Sequence, residues 1–193
     1  MIPNTFYHIY NRGNNREQIF YSRSHYLYFL QKINRFIKPH CHILAWCLMP
    51  NHFHFLVYTN HKGIELLKKQ QQSISKLMEG FRNLLSTYTQ GFNQEQQRTG
   101  SLFTQNTKVK LLETNLNQPF ICFHYIHQNP LKAGLVSKLE DWEYSSFLDY
   151  AEMRNGKLCD KALAHDILPI SYDNFYNQSC EVIDKQLLNG LYA

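Results

Sequence analysis

The chain has 193 residues, 44 % hydrophobic and 18 % charged, which is enough apolar material for a domain-sized core and excludes an intrinsically disordered segment. Its formal net charge of +5 fits nucleic-acid binding without requiring it, and its longest apolar run, ILAWCLM, is far too short to cross a bilayer. Five cysteines (Cys41, Cys47, Cys122, Cys159 and Cys180) form no C-x-x-C pair and are odd in number, which excludes a disulfide framework; MIPNTFYHIYNRGNN carries no basic-then-apolar signal pattern, so the expectation is a cytoplasmic protein with reduced thiols.

FYHIYNR (6–12) is rich in aromatic and β-branched residues and stops at Gly13-Asn14-Asn15, which predicts a strand ending in a turn. Residues 22–38 carry Tyr26, Phe29, Leu30, Ile33 and Ile37 at helical spacing, with Ser22 or Ser24 as N-cap and Pro39 beyond the end. HCHILAWCLMPNHFHFLVYT then reads as two strands joined by a tight turn at Met49-Pro50-Asn51. Residues 63–90 read as one amphipathic helix with Ile74, Leu77, Met78, Phe81, Leu84, Leu85 and Tyr88 on its apolar stripe and KKQQQ on its solvated face. TGSLFTQ and TKVKLLE follow as short strands or an extended segment. Residues 115–128 read as a helix cut off by Asn129-Pro130, since a residue before proline is pushed out of the helical region. This order predicts an α+β fold in which a ferredoxin-like antiparallel β-sheet packs with α-helices over residues 1–150, followed by a small helical C-terminal extension over 151–193.

In LMPNHFHFLVYT, alternation puts His52 and His54 on one face of a strand and Phe53 and Phe55 on the other. The phenylalanines read as core and the histidines as a rigidly held ligand pair. If the turn centres on Pro50, His52 faces Leu48 and His54 faces Trp46. The second triplet, His40-Cys41-His42, then lies too far along its strand to feed the same ion, and these two read as surface residues. An H-x-H triplet by itself specifies little, because two ligands are too few for a closed metal site.

FHYIHQNP (123–130) adds a second group. Tyr125 and Asn129 are four apart and share a helix face. A tyrosine beside a metal-binding pair suggests phenolate attack on a phosphate, with a cation drawing charge from the non-bridging oxygens. The bland alternative is a core tyrosine with one hydrogen-bonded end. His127, two residues on, points away from the Tyr125 face, and His124 reads as a surface group or one standing behind a ligand.

Four ordered blocks, FYHIYNRGNNREQIF, ILAWCLMPNHFHFLV, ISKLMEGFRNLLSTYTQGFNQEQQRTGSLF and YIHQNPLKAGLV, resemble the HUH-type single-tyrosine transposases, in particular the REP-associated branch related to insertion-sequence transposases that move single-stranded DNA. The resemblance spans roughly residues 5 to 148. It implies that His52 and His54 bind Mg²⁺ or Mn²⁺ and that Tyr125 attacks a phosphodiester in single-stranded DNA. The products would be a 5′-phosphotyrosine link and a free 3′-OH, with strands rejoined by attack of a 3′-OH. Where many insertion-sequence members carry Gln as a further ligand, this chain has Asn129, whose shorter reach leaves its ligand role open.

The partner implied is a hairpin formed in single-stranded DNA, read by stem shape and a few unpaired bases. Arg12, Arg16, Lys108, Lys110 and Lys132 are the candidate phosphate contacts, with Arg12 favoured because it lies in a shared block; Tyr10 or Phe103 could stack bases. A homodimer and a monomer are both compatible with the resemblance. The alternative function is a non-catalytic nucleic-acid binder of the same fold, which needs neither metal nor Tyr125. A hydrolytic phosphoesterase with paired histidine motifs is disfavoured, because such enzymes place Ser or Thr two residues after each histidine and here His54 and Leu56 stand there.

Overall fold

The computed structural model describes residues 1–69, 72–113 and 117–181. Four strands form one antiparallel sheet: β1 (Phe6–Arg12), β2 (Cys41–Met49), β3 (His52–Thr59) and β6 (Lys108–Leu111), in spatial order β2-β3-β1-β6. Helix α1 (Arg23–Phe36) connects β1 to β2, and α3 (Lys76–Glu95) lies between β3 and β6, so the chain traces the ferredoxin-like β-α-β-β-α-β order. Helices α1 and α3 cover one face. Helix α4 (Gln118–Lys132) covers the other, joined by α5 (Phe147–Tyr150), α6 (Lys161–Ile167) and α7 (Phe175–Cys180).

Both faces are therefore buried, and the strand alternation sorts two cores. Ile9, Phe53, Phe55 and Val57 point to α1 and α3 with Phe29, Phe81 and Tyr88, in a cluster where Phe29 stands 5.4 Å from Phe53 and 4.9 Å from Tyr88, ring centre to ring centre. Each such fully buried aromatic contributes on the order of 2–3 kcal/mol. On the opposite face Leu56, Cys47 and Met49 meet Cys122 and Ile126 of α4, and Ala164, Leu168, Ile170 and Phe175 extend the same cluster. The segment after residue 151 thus buries apolar side chains in the core that carries α4.

Two expectations need correction. The helix read over 63–90 is shorter at its start: α2 (His61–Ile64) and an antiparallel hairpin of β4 (Leu66–Lys69) and β5 (Gln72–Ser75) precede it, and α3 begins at Lys76. Ser75 settles the start, because its side chain accepts from the Met78 amide as an N-cap. Ile74 pairs with Leu67 across the hairpin and is not part of the helical stripe, and what lies of KKQQQ within the described residues belongs to the hairpin. Second, Asn129-Pro130 does not end α4, which runs on to Lys132. Pro130 forfeits one hydrogen bond near the end of the helix, and the final carbonyls are reclaimed by Ala133 on Asn129, Gly134 on Leu131 and Leu135 on Pro130, with Gly134 in the left-handed conformation a C-cap favours. Residues 115 and 116 of that reading lie outside the described residues. Of the two readings open for TGSLFTQ and TKVKLLE, TGSLFTQ is an extended segment tied to β1 and the turn after it by the Gly13–Phe103 bridge, the Thr104 amide on Arg12 O and the Asn11–Thr104 contacts, and Lys108–Leu111 is a strand.

The β2–β3 loop is two residues, Pro50 and Asn51, so the register is one residue away from that expected: His52 pairs with Met49 and His54 with Cys47. A one-residue slip exchanges the faces of a strand's neighbours, and Cys47 and Met49, rather than Trp46 and Leu48, therefore share the histidine face.

The turn after β1 is zipped to this loop. The Gly13 amide donates to Asn51 O at 2.8 Å, and the Ile19 and Phe20 amides both donate to Pro50 O. Gly13 permits it by close approach: a Cβ there would stand 2.2 Å from the Glu17 carbonyl oxygen. Gly13→Ala is expected to lower stability by roughly 1–3 kcal/mol, the usual cost of overpacking, read as a reduced urea midpoint at unchanged slope. An unchanged or raised midpoint would show that the turn yields freely.

Candidate active site

Strand β1 puts Phe6, His8, Tyr10 and Arg12 on the face toward α4, and the register sets Tyr10 beside His54 and Arg12 beside His52. On the other side of β1, Lys108 pairs with Tyr10 and Lys110 with His8. One end of the sheet thus carries a mat of imidazoles, phenols and cations. A cleft of about 840 Å³ opens over it, lined by Tyr10, Asn11, Arg12, Arg16, Asn51, His52, His54, Thr104, Lys108 and Tyr125.

Within the cleft His52 and His54 stand with ring centres 4.9 Å apart and planes at 89°. The His52 Nδ1 is 2.6 Å from Asn51 Oδ1, an acceptor only, so Nδ1 carries the proton and Nε2 is left with its lone pair. His54 is 4 % exposed; its Nδ1 lies 2.9 Å from His8 Nε2, and its Nε2 is buried with no hydrogen-bond partner. Burial, aided by the Arg12 guanidinium, pushes His52 down to about 4. Burial holds His54 well below the ordinary imidazole range, with His8 and His52 adding to the effect. Both rings are therefore neutral at pH 7, the protonation state a metal ligand needs.

Tyr125 reaches the same place from α4. Its ring centre is 5.9 Å from that of His54, and its hydroxyl donates to Asn129 Oδ1 at 2.6 Å, one helical turn on. Asn129 Nδ2 donates back to the Tyr125 carbonyl at 2.9 Å. Burial raises the Tyr125 phenol, opposed in part by the bond to Asn129, so the hydroxyl is protonated at neutral pH. Lys132 Nζ lies 5.4 Å from the centre of the Tyr125 ring.

Of the residues picked out in the sequence, His52, His54, Tyr125, Arg12, Arg16 and Lys108 line one cleft. Lys110 sits one pair further along β1 beside His8, Lys132 flanks the tyrosine ring, and Asn129 faces the hydroxyl. His124 and His127 turn the other way: His124 Nδ1 is 3.0 Å from Ser179 Oγ and His127 Nε2 is 2.7 Å from Ser146 Oγ. Both are buried, so His124 is not the surface group expected. His42 pairs with Tyr58 toward the far end of β3, and its Nδ1 contacts Asp160 at 2.9 Å. The residues the sequence did not single out are His8, Asn11, Asn51 and Thr104. Asn11 anchors the wall: its Oδ1 accepts from Thr104 Oγ1 at 2.6 Å, and its Nδ2 reaches Thr104 O and Thr107 Oγ1.

Among the described residues no three His, Cys, Asp or Glu side chains gather as a metal cage. What the cleft offers is two neutral imidazoles on one strand face, one with an orphaned buried nitrogen. That pair fits an ion that takes few protein ligands and fills its remaining positions with phosphate oxygens and water, as Mg²⁺ does at phosphoryl-transfer sites. No helix among the described residues is long and apolar enough to cross a membrane.

No curated protein matches the chain. A solved structure described as the REP-associated tyrosine transposase bound to a REP hairpin superimposes with a TM-score of 0.58 at 16 % identity, covering 82 % of this chain and 90 % of the other; at that identity the likeness is one of fold. Residues 2–129 match the family described as "Transposase IS200 like". That match spans both the histidine strand and the tyrosine helix, and the chain belongs to the IS200-like transposase family.

Proposed function

We propose that the protein cleaves and rejoins single-stranded DNA bearing a hairpin, through a 5′-phosphotyrosine intermediate on Tyr125. The observation that carries this reading is the meeting of Tyr125 with His54 and His52 in one cleft edged by Arg12, Arg16 and Lys108. His52 and His54 would hold a divalent cation, Mg²⁺ or Mn²⁺, with Asn129 as a further ligand once its side chain exchanges Tyr125 for the ion. The cation, when bound, supplies Lewis-acid activation of the scissile phosphodiester.

The chain's own residues do the rest. Arg12, Arg16 and Lys108 grip the DNA phosphates as cations that tolerate any sequence, with Lys110 and Lys132 extending the basic rim. Tyr10 offers a face for an unpaired base. Asn129 fixes the phenol rotamer by accepting its proton in a hydrogen bond. In the forward step the Tyr125 hydroxyl gives up its proton to solvent as its oxygen forms a bond to phosphorus, the P–O3′ bond breaks, and the leaving 3′ oxygen takes up a proton from solvent and ends as a hydroxyl, so no net proton is gained or lost. In the reverse direction a 3′-OH attacks the phosphotyrosine, and the phenol is released protonated. No net phosphodiester bond is lost, so no nucleotide cofactor is required. Tyr125 and the histidines meet within one chain, which supports a site built in cis.

The test is incubation of the protein with a 3′-labelled hairpin oligonucleotide carrying single-stranded flanks, with Mg²⁺ or Mn²⁺ and with EDTA, because a 5′-phosphotyrosine link keeps the 3′-side fragment on the protein. The expected result is a denaturant-resistant protein–DNA adduct that forms with either ion and is lost on chelation. Hairpin binding without any adduct in either metal would favour the non-catalytic binder instead.

A further inference from the structure

We infer that His8 is a positioning residue for the metal pair: it is the acceptor for the Nδ1–H of His54 in the tautomer that leaves His54 Nε2 free as a ligand. This rests on the metal reading of His52 and His54 given above. His8 Nε2 lies 2.9 Å from His54 Nδ1, the two rings stack at 5.0 Å with planes 21° apart, and His8 is fully buried. The placement follows from the sheet, since His8 sits one pair before Tyr10 on β1 and shares the face of His54.

The pair of rings has two neutral arrangements. In one, His54 Nδ1–H donates to His8 Nε2 and His54 Nε2 holds a lone pair. In the other, His8 Nε2–H donates to His54 Nδ1 and a proton occupies His54 Nε2, which blocks coordination. Among the described groups, His8 Nδ1 and His54 Nε2, the two outer nitrogens, have no hydrogen-bond partner, so neither arrangement is held by further contacts. An ion on His54 Nε2 selects the first arrangement, and His8 is the acceptor that makes it available. His52 has its own counterpart in Asn51, whose Oδ1 holds His52 Nδ1–H. Each proposed ligand thus has one group behind it setting its proton, the arrangement metal-binding histidines require.

The experiment measures Mn²⁺ affinity of the DNA-free protein by the electron paramagnetic resonance signal of free Mn²⁺, for the wild type, His8→Phe, His8→Gln and His52→Ala. His8→Phe keeps the ring's bulk without an acceptor and is expected to weaken Mn²⁺ binding roughly 10–100-fold, the range for loss of such outer partners. His8→Gln, whose amide oxygen can accept from Nδ1–H, is expected to retain most of the affinity. Should His8→Phe fail to fold, long-range ¹H–¹⁵N correlation of the Mg²⁺-saturated wild type reads the tautomer directly, with His54 expected to be protonated at Nδ1. His8→Phe binding Mn²⁺ like the wild type while His52→Ala does not overturns the role of His8 and leaves the metal pair standing. Affinity unmoved by both His8→Phe and His52→Ala, or His54 protonated at Nε2 in the Mg²⁺-saturated protein, overturns the two together.

Discussion

Tyr125→Phe is expected to lower covalent adduct formation by roughly 10⁴–10⁶-fold, the range seen when a member of a catalytic unit is deleted in other covalent enzymes, while hairpin affinity stays within about twofold. The separation follows from where the groups sit. The proposed nucleophile lies on α4, whereas the basic side chains proposed to grip DNA lie on β1, the turn after it, and β6. Removing one hydroxyl leaves the Phe ring against His54 and leaves Lys132 over its face, so packing persists. The loss to stability is one hydrogen bond, about 1 kcal/mol, arising from the Asn129 Oδ1 left without its donor. A denaturation midpoint close to wild type beside an absent adduct would identify the change as chemical. Undiminished adduct would remove Tyr125 from the reaction and send the search to the other phenol of the cleft, Tyr10.

Much of this site is local in the sequence and therefore legible there. The alternation of His52-Phe53-His54-Phe55 fixes which side chains face the helices and which face the cleft, whatever the rest of the sheet does. Likewise, Tyr125 and Asn129 find each other through the pitch of a helix, and the 2.6 Å bond between them needs no long-range information. What escaped was whatever two distant segments decide jointly. The hairpin register depended on whether one or two residues turn at Pro50-Asn51, and the difference moved Cys47 and Met49 onto the histidine face. His8 carries no local signal beyond its place in an apolar strand; only the pairing of β1 with β3 brings it to His54. Asn11 and Thr104 join the cleft by a contact between β1 and a loop some ninety residues away in the chain. The start of α3 was misplaced because the lysines and glutamines before it have good helix propensity, and the Ser75 cap outweighed them. The end of α4 was misplaced because a proline near a helix terminus costs one bond, which the following amides make good.

The protein should lose several kcal/mol of stability when acidified from pH 7 to pH 5, before most carboxylates begin to protonate. Five imidazoles, four buried and His52 half-buried, are pushed below the ordinary value of 6.5: His8 to about 3, His52 and His124 to about 4, and His54 and His127 well below it, in each case mainly by burial. The sign follows from proton counting. Above pH 6.5 each ring is neutral both folded and unfolded and pH has no effect. Between 6.5 and the folded value the unfolded chain binds protons that the native state does not, so stability falls as pH falls through that window. At pH 5 one unfolded imidazole of ordinary pKa gains about 2 kcal/mol in this way. Even a fraction of that from each of five rings is large against the 5–15 kcal/mol that holds a typical domain. Two of the five, His124 and His127, belong to α4 and face Ser179 and Ser146, so acid should loosen the tyrosine helix as well as the sheet. Urea midpoints at pH 7.5 and pH 5.0, with circular dichroism as the probe, check this. Saturating Mn²⁺ should raise the midpoint at pH 7.5, because a cation that binds only the folded site stabilises it by mass action, and should lose that effect at low pH as the ligand pair protonates. Midpoints that coincide at the two pH values would mean that water or relaxation relieves these rings of their burial, and with it the reason for regarding the histidine pair as neutral ligands held ready in the folded protein.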